Sequence, residues 1–456
     1  MSAPPSAYIP TSETMSSPSS LPSARRPNII FIVADDLGFA DLGCYGGREP
    51  VSPVLDGLAA RGLRFTQGYA NSPVCSPTRF AMITARYQYR LRGAAEEPIR
   101  SDRGNATLGL PPDHPTLPSL LRAAGYRTAL VGKWHLGFPP AFGPLRSGYD
   151  EFFGPMSGGV DYFTHCDSRG AHDLWLDEAD CRQDGYLTDL LSKRAVAYVE
   201  RMAAQDAPFF LSLHYTAPHW PWETRDDAGR APQIRDNLFD LAGGSIHRYR
   251  EMIRHMDEGI GWVMAALEKH GLADDTLVVF TSDNGGERFS DSWPLVGGKM
   301  DLTEGGIRVP WIAYWPAGIA PGGVSAQHCL TMDWSATMLD LAGTSPDAAY
   351  PLDGVSLRPV LADAAHVFRR PMHWRMNHRG QRALRDGDWK YLQVDGHEYL
   401  FDIATDERER ANQAHRQPER LAAMRADWTA WNATMPPIPA DATVSLGYSV
   451  KDMPGR

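Results

Sequence analysis

Five short runs along the chain, at 29–34, 128–131, 209–215, 276–281 and 311–315, are mostly apolar and do not alternate with polar residues. A strand with one wet face alternates, so such runs predict strands buried on both faces of a parallel sheet. The stretches 54–61, 116–124, 187–204, 245–270 and 331–342 repeat their apolar residues at helical spacing, and Gly62, Gly125 and Gly271 follow three of them directly. Glycine in that position ends a helix. Buried strands alternating with amphipathic helices predict an α/β fold, a central sheet with helices on both faces.

The character changes near residue 367. Residues 346–359 read as loop, and short polar strands follow at 382–385 and 389–394 around the hairpin signal Asp386-Gly387-Asp388. A helix over 418–431 and a proline-rich tail close the pattern. The organisation expected is a disordered Ser/Pro-rich leader at 1–26, a large domain at 27–365, a small subdomain at 366–436 and a tail at 437–456.

Composition narrows the chemistry. A chain of 456 residues that is 43% hydrophobic can bury a large core, and a net charge of −10 without long basic runs argues against a nucleic-acid partner. An anionic substrate would need a positive pocket built locally. No apolar run is long enough for a signal-peptide core or a membrane span, which leads to the expectation of a cytoplasmic protein, with export only if the start is misassigned. Cys44, Cys75, Cys166, Cys181 and Cys329 are odd in number and widely spaced, fitting neither a disulfide framework nor a zinc site. Cys166 and Cys181 could pair in an exported chain.

Polar residues collect where the predicted strands end. Asp35-Asp36 follow the first run, Lys133 and His135 the second, His219 the third, and Asp283-Asn284 the fourth, while Lys299 sits among glycines on an expected flexible loop beside the sheet. In α/β sheets ligands bind outside the carboxyl ends of the strands, so one crevice would gather all of them. If the chain stays extended past 131, alternation aims Lys133 and His135 one way and Trp134 the other. Adjacent carboxylates at a buried strand end need compensation, and hard oxygen donors suit Ca²⁺ or Mg²⁺. Taken singly, each has a plainer reading: an acidic turn, a structural histidine, a half-buried cysteine.

Cys75-x-Pro-x-Arg79 stands at the start of a helix-compatible stretch, where free amides and the helix dipole favour an anion. With Asp35-Asp36, Gly-Lys133-Trp-His135-Leu-Gly, Pro-His219-x-Pro, Asp283-Asn284-Gly and Lys299 ahead of Glu-Gly-Gly-x-Arg, it matches the type I sulfatases in order. The chain resembles that family from about 27 to 431.

The resemblance implies an alkaline-phosphatase-like large mixed sheet flanked by helices, plus a C-terminal four-stranded antiparallel subdomain. It also implies that Cys75 is oxidised to formylglycine by a formylglycine-generating enzyme, and that Asp35, Asp36, Asp283, Asn284 and residue 75 hold Ca²⁺, Mg²⁺ being the alternative. Arg79 would support the nucleophile, Lys133 and Lys299 the sulfate oxygens, His219 with Lys299 the departing alcohol, and His135 the release of sulfate. A further sulfate-touching polar residue is expected near Ser157.

The substrate would be a small-molecule or saccharide sulfate ester. The alternatives are a formylglycine-dependent phosphonate or phosphate ester hydrolase, and a non-catalytic metal-stabilised binding protein. Segments 158–162, 288–293 and 373–378, with Asp161, Arg288 and Trp293, are candidates to line the pocket.

Overall fold

The structure, a computed structural model, describes residues 26–100, 103–235 and 243–446; the expected leader, save Arg26, and residues 447–456 of the tail lie outside the described residues. In chain order the strands are β1 (Asn28–Ala34), β2 (Leu63–Phe65), β3 (Gly68–Tyr69), β4 (Arg127–Gly132), β5 (Glu151–Gly154), β6 (Trp175–Leu176), β7 (Ala179–Asp180) and β8 (Phe209–His214). They continue with β9 (Thr276–Ser282), β10 (Trp311–Tyr314), β11 (Gly323–Ser325), β12 (Cys329–Leu330), β13 (Met372–Arg375), β14 (Arg382–Asp386), β15 (Trp389–Val394) and β16 (His397–Asp402).

Ten of these form one sheet in the order β11-β2-β10-β9-β1-β8-β4-β5-β6-β7. The centre, β9-β1-β8-β4-β5, is parallel. Antiparallel pairing of β10 with β9 and β2, and of β6 with β5, makes the sheet mixed.

The unbroken apolar runs have their physical reason in the packing. Ile30, Ile32 and Ala34 of β1 belong to one core with the helices Pro53–Arg61, Leu187–Met202 and Ile246–Lys269. Ile29, Phe31 and Val33 belong to another with the helices Cys75–Thr84, Leu117–Ala123 and Thr331–Leu341. Successive side chains point to opposite faces, and both faces are covered, so every position of β1 after Asn28 is buried. Among the described residues no helix is long and apolar enough to cross a membrane.

β13 to β16 form the small antiparallel sheet, in sequence order. On one face Leu384, Tyr391 and Leu400 pack against Met424 and Trp428 of the helix Pro418–Asn432. On the other, Ala383, Leu392 and Phe401 share a core with Tyr69, Ala81, Ile307 and Met332 of the larger region. A buried ionic cluster lies at that junction. Glu304 accepts hydrogen bonds from Lys390 Nζ at 2.9 Å and Tyr69 Oη at 2.8 Å, and Lys390 also pairs with Glu409 at 2.8 Å.

Candidate active site

Strand register brings the polar residues together. Ala34 of β1 pairs with Ser282 of β9, so Asp35-Asp36 and Asp283-Asn284 leave the sheet side by side. On the other flank Val33 pairs with His214 of β8, and His214 with Gly132 of β4, bringing Lys133 beside them. His219 follows from β8 after one turn.

Two backbone features fix the side chains. Gly132 has φ +118°, and a Cβ there would lie 1.8 Å from the His214 carbonyl oxygen, so only glycine lets β4 turn against the end of β8. Asp36 and His135 adopt left-handed φ values of +64° and +58°, unusual for side chains of their size. The extended reading of 133–135 is thereby corrected, although its outcome partly holds. Lys133 Nζ reaches Asp35 Oδ2 at 2.5 Å and His135 lines the cavity, while Trp134 packs in the core.

Cys75 begins the helix Cys75–Thr84, every residue of which is buried, with its Sγ 4.0 Å from Asp36 Oδ1. Arg79 Nε and Nη2 both donate to Asp283 Oδ2, at 3.1 and 2.9 Å, and Nη1 donates to the Lys133 carbonyl at 3.1 Å. Lys299 Nζ lies 2.6 Å from Asp36 Oδ2. Lys299 is fully buried and not on a flexible loop: its N–H donates to the Gly286 carbonyl at 3.0 Å, and the Met300 N–H to the Pro73 carbonyl at 2.9 Å.

The donor set fits a hard cation. One atom each from Asp35, Asp36, Cys75 and Asp283 lies within 4.8 Å of the others. Asp35 Oδ1 and Asn284 Oδ1 are buried with no hydrogen-bond partner, although each is a strong acceptor. Burial and the neighbouring Asp35 raise Asp283 despite Arg79. Burial would raise Asp36 too, but Lys299, His219 and Lys133 outweigh it and hold that carboxyl well below its ordinary range. Crowded carboxylates of this kind are relieved by a divalent ion.

The histidines have defined open atoms. His135 Nε2 lies 2.9 Å from the Ile99 carbonyl, which a ring N–H must satisfy, leaving the buried Nδ1 without a partner. In His219 the roles reverse: Nδ1 is 2.5 Å from the Trp220 carbonyl, and Nε2 faces Asp36 Oδ2 at 3.6 Å. Burial, then Lys133 for His135 and Lys299 for His219, lowers both well below an ordinary histidine and keeps the rings neutral. Burial pushes the Cys75 thiol well up, so as a bare thiol it is a poor nucleophile.

Above these groups lies a cavity of about 240 Å³. Its deep part is Cys75, His135, His219 and Lys299, and its walls include Trp220, Ile99 and the Gly158-Gly159 backbone. A Cβ on Gly158 would lie 2.4 Å from the His135 ring.

A family model described as Sulfatase matches residues 27–344. The chain belongs to the sulfatase family. N-acetylgalactosamine-6-sulfatase of Rattus norvegicus is 33% identical over 77% of this chain and 68% of its own length. Arylsulfatase A of Homo sapiens is 34% identical over 80% and 75%. The crystal structure of Ps i-CgsB in complex with k-i-k-neocarrahexaose superimposes with a TM-score of 0.80 at 31% identity, covering 89% of this chain and 93% of that one. Phosphonate monoester hydrolase of Agrobacterium radiobacter shares the fold, with a TM-score of 0.63 at 21% identity. This sulfatase is thus a hydrolase of sulfuric esters on an alkaline-phosphatase-like fold.

Other expected positions fall elsewhere in the sulfatase. Ser157 is fully buried, its N–H donating to Asp173 at 2.8 Å and its hydroxyl to the Gly159 carbonyl at 3.3 Å, and it does not line the cavity. Asp161 is a loop former, accepting the N–H groups of Phe163 and Thr164. Trp293 is exposed beneath Arg408, Arg288 stacks on Phe289, and His373 stacks on Trp431; none of the three lines the cavity. Cys166 and Cys181 are both free. Conversely, sequence reasoning missed Arg100, Ser168, Arg169, Ser445 and Leu446, all lining the cavity, because loop residues carry no periodicity.

Proposed function

We propose that this site hydrolyses the sulfate ester of a carbohydrate alcohol, with residue 75 acting as a formylglycine hydrate beside a Ca²⁺ ion held by Asp35, Asp36, Asp283 and Asn284. The reading is carried by the convergence of donor atoms from Asp35, Asp36, Cys75 and Asp283 within 4.8 Å, beneath a cavity lined by two histidines and a lysine. The carbohydrate part is supported by the N-acetylgalactosamine-6-sulfatases among the relatives and by the saccharide bound to Ps i-CgsB.

Formylglycine would supply a geminal pair of hydroxyls, one to attack sulfur and one to release sulfate afterwards. Ca²⁺ would supply positive charge beside residue 75 and the sulfate, and Mg²⁺ is the less suited ion for a set of several protein oxygens. Arg79 orients the Asp283 carboxylate and, through the Lys133 carbonyl, the lysine beside it. Lys133 and Lys299 provide fixed ammonium charge for the sulfate oxygens. His219 with Lys299 assists the departing alcohol: the Lys299 ammonium supplies the proton, and His219, its Nδ1–H committed to Trp220, offers Nε2 as the acceptor beside it. His135 takes a proton from residue 75 at Nδ1, since its Nε2 is committed to Ile99.

The deciding experiment is mass analysis of the peptide containing residue 75, from protein made with the formylglycine-generating enzyme present. Conversion to the aldehyde is expected, and active protein carrying only cysteine there would end this reading. Matched aryl sulfate, phosphate and phosphonate esters should rank with sulfate first; a faster phosphonate would favour the rival hydrolase. His135→Ala should give a burst of alcohol of one enzyme equivalent, followed by slow turnover. His219→Ala should lose rate mainly on esters of poor leaving groups, roughly 10²-fold or more against little on an activated phenol.

A further inference from the structure

Among the described residues, the charged side chains that line the catalytic cavity are all basic: Arg100, Arg169 and Lys299. In a chain of net charge −10 this is a local reversal of sign. Lys299 is buried and bonded to Asp36, as part of the site beneath. Arg100 and Arg169 are exposed, and no ion pair or side-chain hydrogen bond to a described residue occupies either guanidinium.

Both are held out by built loops. The carboxylate of Asp167, itself buried, accepts the N–H groups of Arg169 and Ala171 at 2.9 and 3.0 Å, closing the turn that carries Ser168 and Arg169. Arg103 approaches the other oxygen of that carboxylate at 3.5 Å, so the turn's own acid is balanced without Arg169. Arg100 follows Ile99, whose N–H donates to Ser76 Oγ at 2.8 Å and whose carbonyl faces His135. The same segment is bracketed from outside: Glu97 exchanges backbone hydrogen bonds with Thr443 and Ser445, and Ser445 Oγ donates to the Pro98 carbonyl at 2.6 Å.

The cavity, at about 240 Å³, is smaller than a typical ligand cleft of roughly 300–1,000 Å³. Only the reacting end of a substrate is enclosed, and the remainder lies against the rim where the arginines stand. A planar guanidinium is suited to bidentate recognition of sulfate or carboxylate.

Resting on the sulfatase reading above, we propose that Arg100 and Arg169 recognise a second anionic group of the substrate, making this a sulfatase of polyanionic saccharides. That group is a further sulfate or a uronate carboxylate beside the scissile ester.

The test is competitive inhibition of 4-nitrophenyl sulfate turnover by galactose 6-sulfate, galactose 4,6-disulfate and galactose 6-sulfate linked to glucuronate. The last two compounds separate sulfate from carboxylate. At least one dianion should inhibit tenfold or more tightly than the monosulfate. In the double variant Arg100→Ala, Arg169→Ala that ratio should fall to about one, and the Lys/Lys variant should restore part of it. Equal inhibition by all three in the unaltered enzyme, or an equal loss for mono- and dianions in the variant, as general electrostatic steering would give, would overturn the proposal. If 4-nitrophenyl sulfate is not turned over at all, mass analysis of the residue-75 peptide decides whether the formylglycine reading has failed, and calorimetric titration of the same three sugars still decides the arginines.

Discussion

Two buried clusters of opposite charges stand in this molecule, built from nearly the same residue types. At the junction of the small sheet, Glu304 and Glu409 meet Lys390, and Glu304 also receives Tyr69 while its own N–H reaches Glu409 at 2.6 Å. In the candidate active site Asp35, Asp36 and Asp283 meet Arg79, Lys133 and Lys299. At the junction both oxygens of Glu304 are hydrogen-bonded, Glu409 Oε2 accepts the Glu304 N–H, and Glu409 Oε1, without a hydrogen bond of its own, is ion-paired with Lys390 at 2.8 Å. The candidate active site leaves Asn284 Oδ1 without a hydrogen-bond partner and Asp35 Oδ1 with none beyond an ion pair to Arg79 at 3.9 Å, and it opens onto a cavity. A satisfied buried network holds parts together, whereas one with spare acceptors is prepared for something that comes and goes.

The comparison can be broken from either side. The largest effect is expected at the active site: Asp283→Ala and Cys75→Ala should each lower turnover by more than about 10³-fold, read as kcat on 4-nitrophenyl sulfate, with the circular dichroism spectrum kept. The junction should answer in stability instead. Lys390→Met strands Glu304 and Glu409, and urea denaturation should show a loss of about 3–5 kcal/mol, with kcat per folded molecule unchanged. If Lys390→Met silences the enzyme without destabilising it, the division of labour drawn above is wrong.

Calcium sharpens the contrast. After exhaustive chelation, Ca²⁺ at about a hundred times its Kd should stabilise the folded protein by about 2.7 kcal/mol and restore activity better than Zn²⁺. Asp283→Ala should lose most of that thermal shift, and Lys390→Met should retain it.

The smallest effect concerns Glu97, a buried carboxylate outside both clusters whose hydrogen bonds, among the described residues, come from the backbone N–H groups of Asn377 and His378, at 2.7 and 2.8 Å. Burial raises it from 4.5 to about 7, those two bonds opposing only in part. A carboxyl raised on folding contributes stability that is complete below its unfolded value of 4.5 and is lost as pH climbs through about 7. Between pH 5 and 8, Glu97→Gln should therefore gain on the unaltered protein by on the order of 1–2 kcal/mol in urea midpoint experiments. A constant difference across that range would show that Glu97 titrates normally.

The contrast between the two clusters also explains what could be read in advance. Asp35-Asp36 and Asp283-Asn284 were legible because β1 and β9 are unbroken apolar runs, and a polar pair at the end of such a run has to face the sheet's ligand edge. Glu304 and Arg308 were legible only as a motif. The work of Glu304, bolting β15 to the larger region through Lys390, depends on a partner 86 residues away. Lys299 looked loop-borne for a similar reason, since its glycine-rich surroundings suggest freedom until packing removes it. The left-handed backbone of Asp36 and His135, and the meeting of Arg100, Arg169 and Leu446 at one rim, arise from loops that touch only after folding.

The rim also sets a schedule. Cys75 is 2% exposed, beneath a wall that includes Ser445 and Leu446, which are translated long after it. A modifying enzyme has to grasp the side chain that it alters, so the conversion of Cys75 proposed above would belong to the interval before this wall closes. Supplying the converting enzyme during synthesis would then raise the active fraction, while treating the finished, folded protein would leave its cysteine untouched.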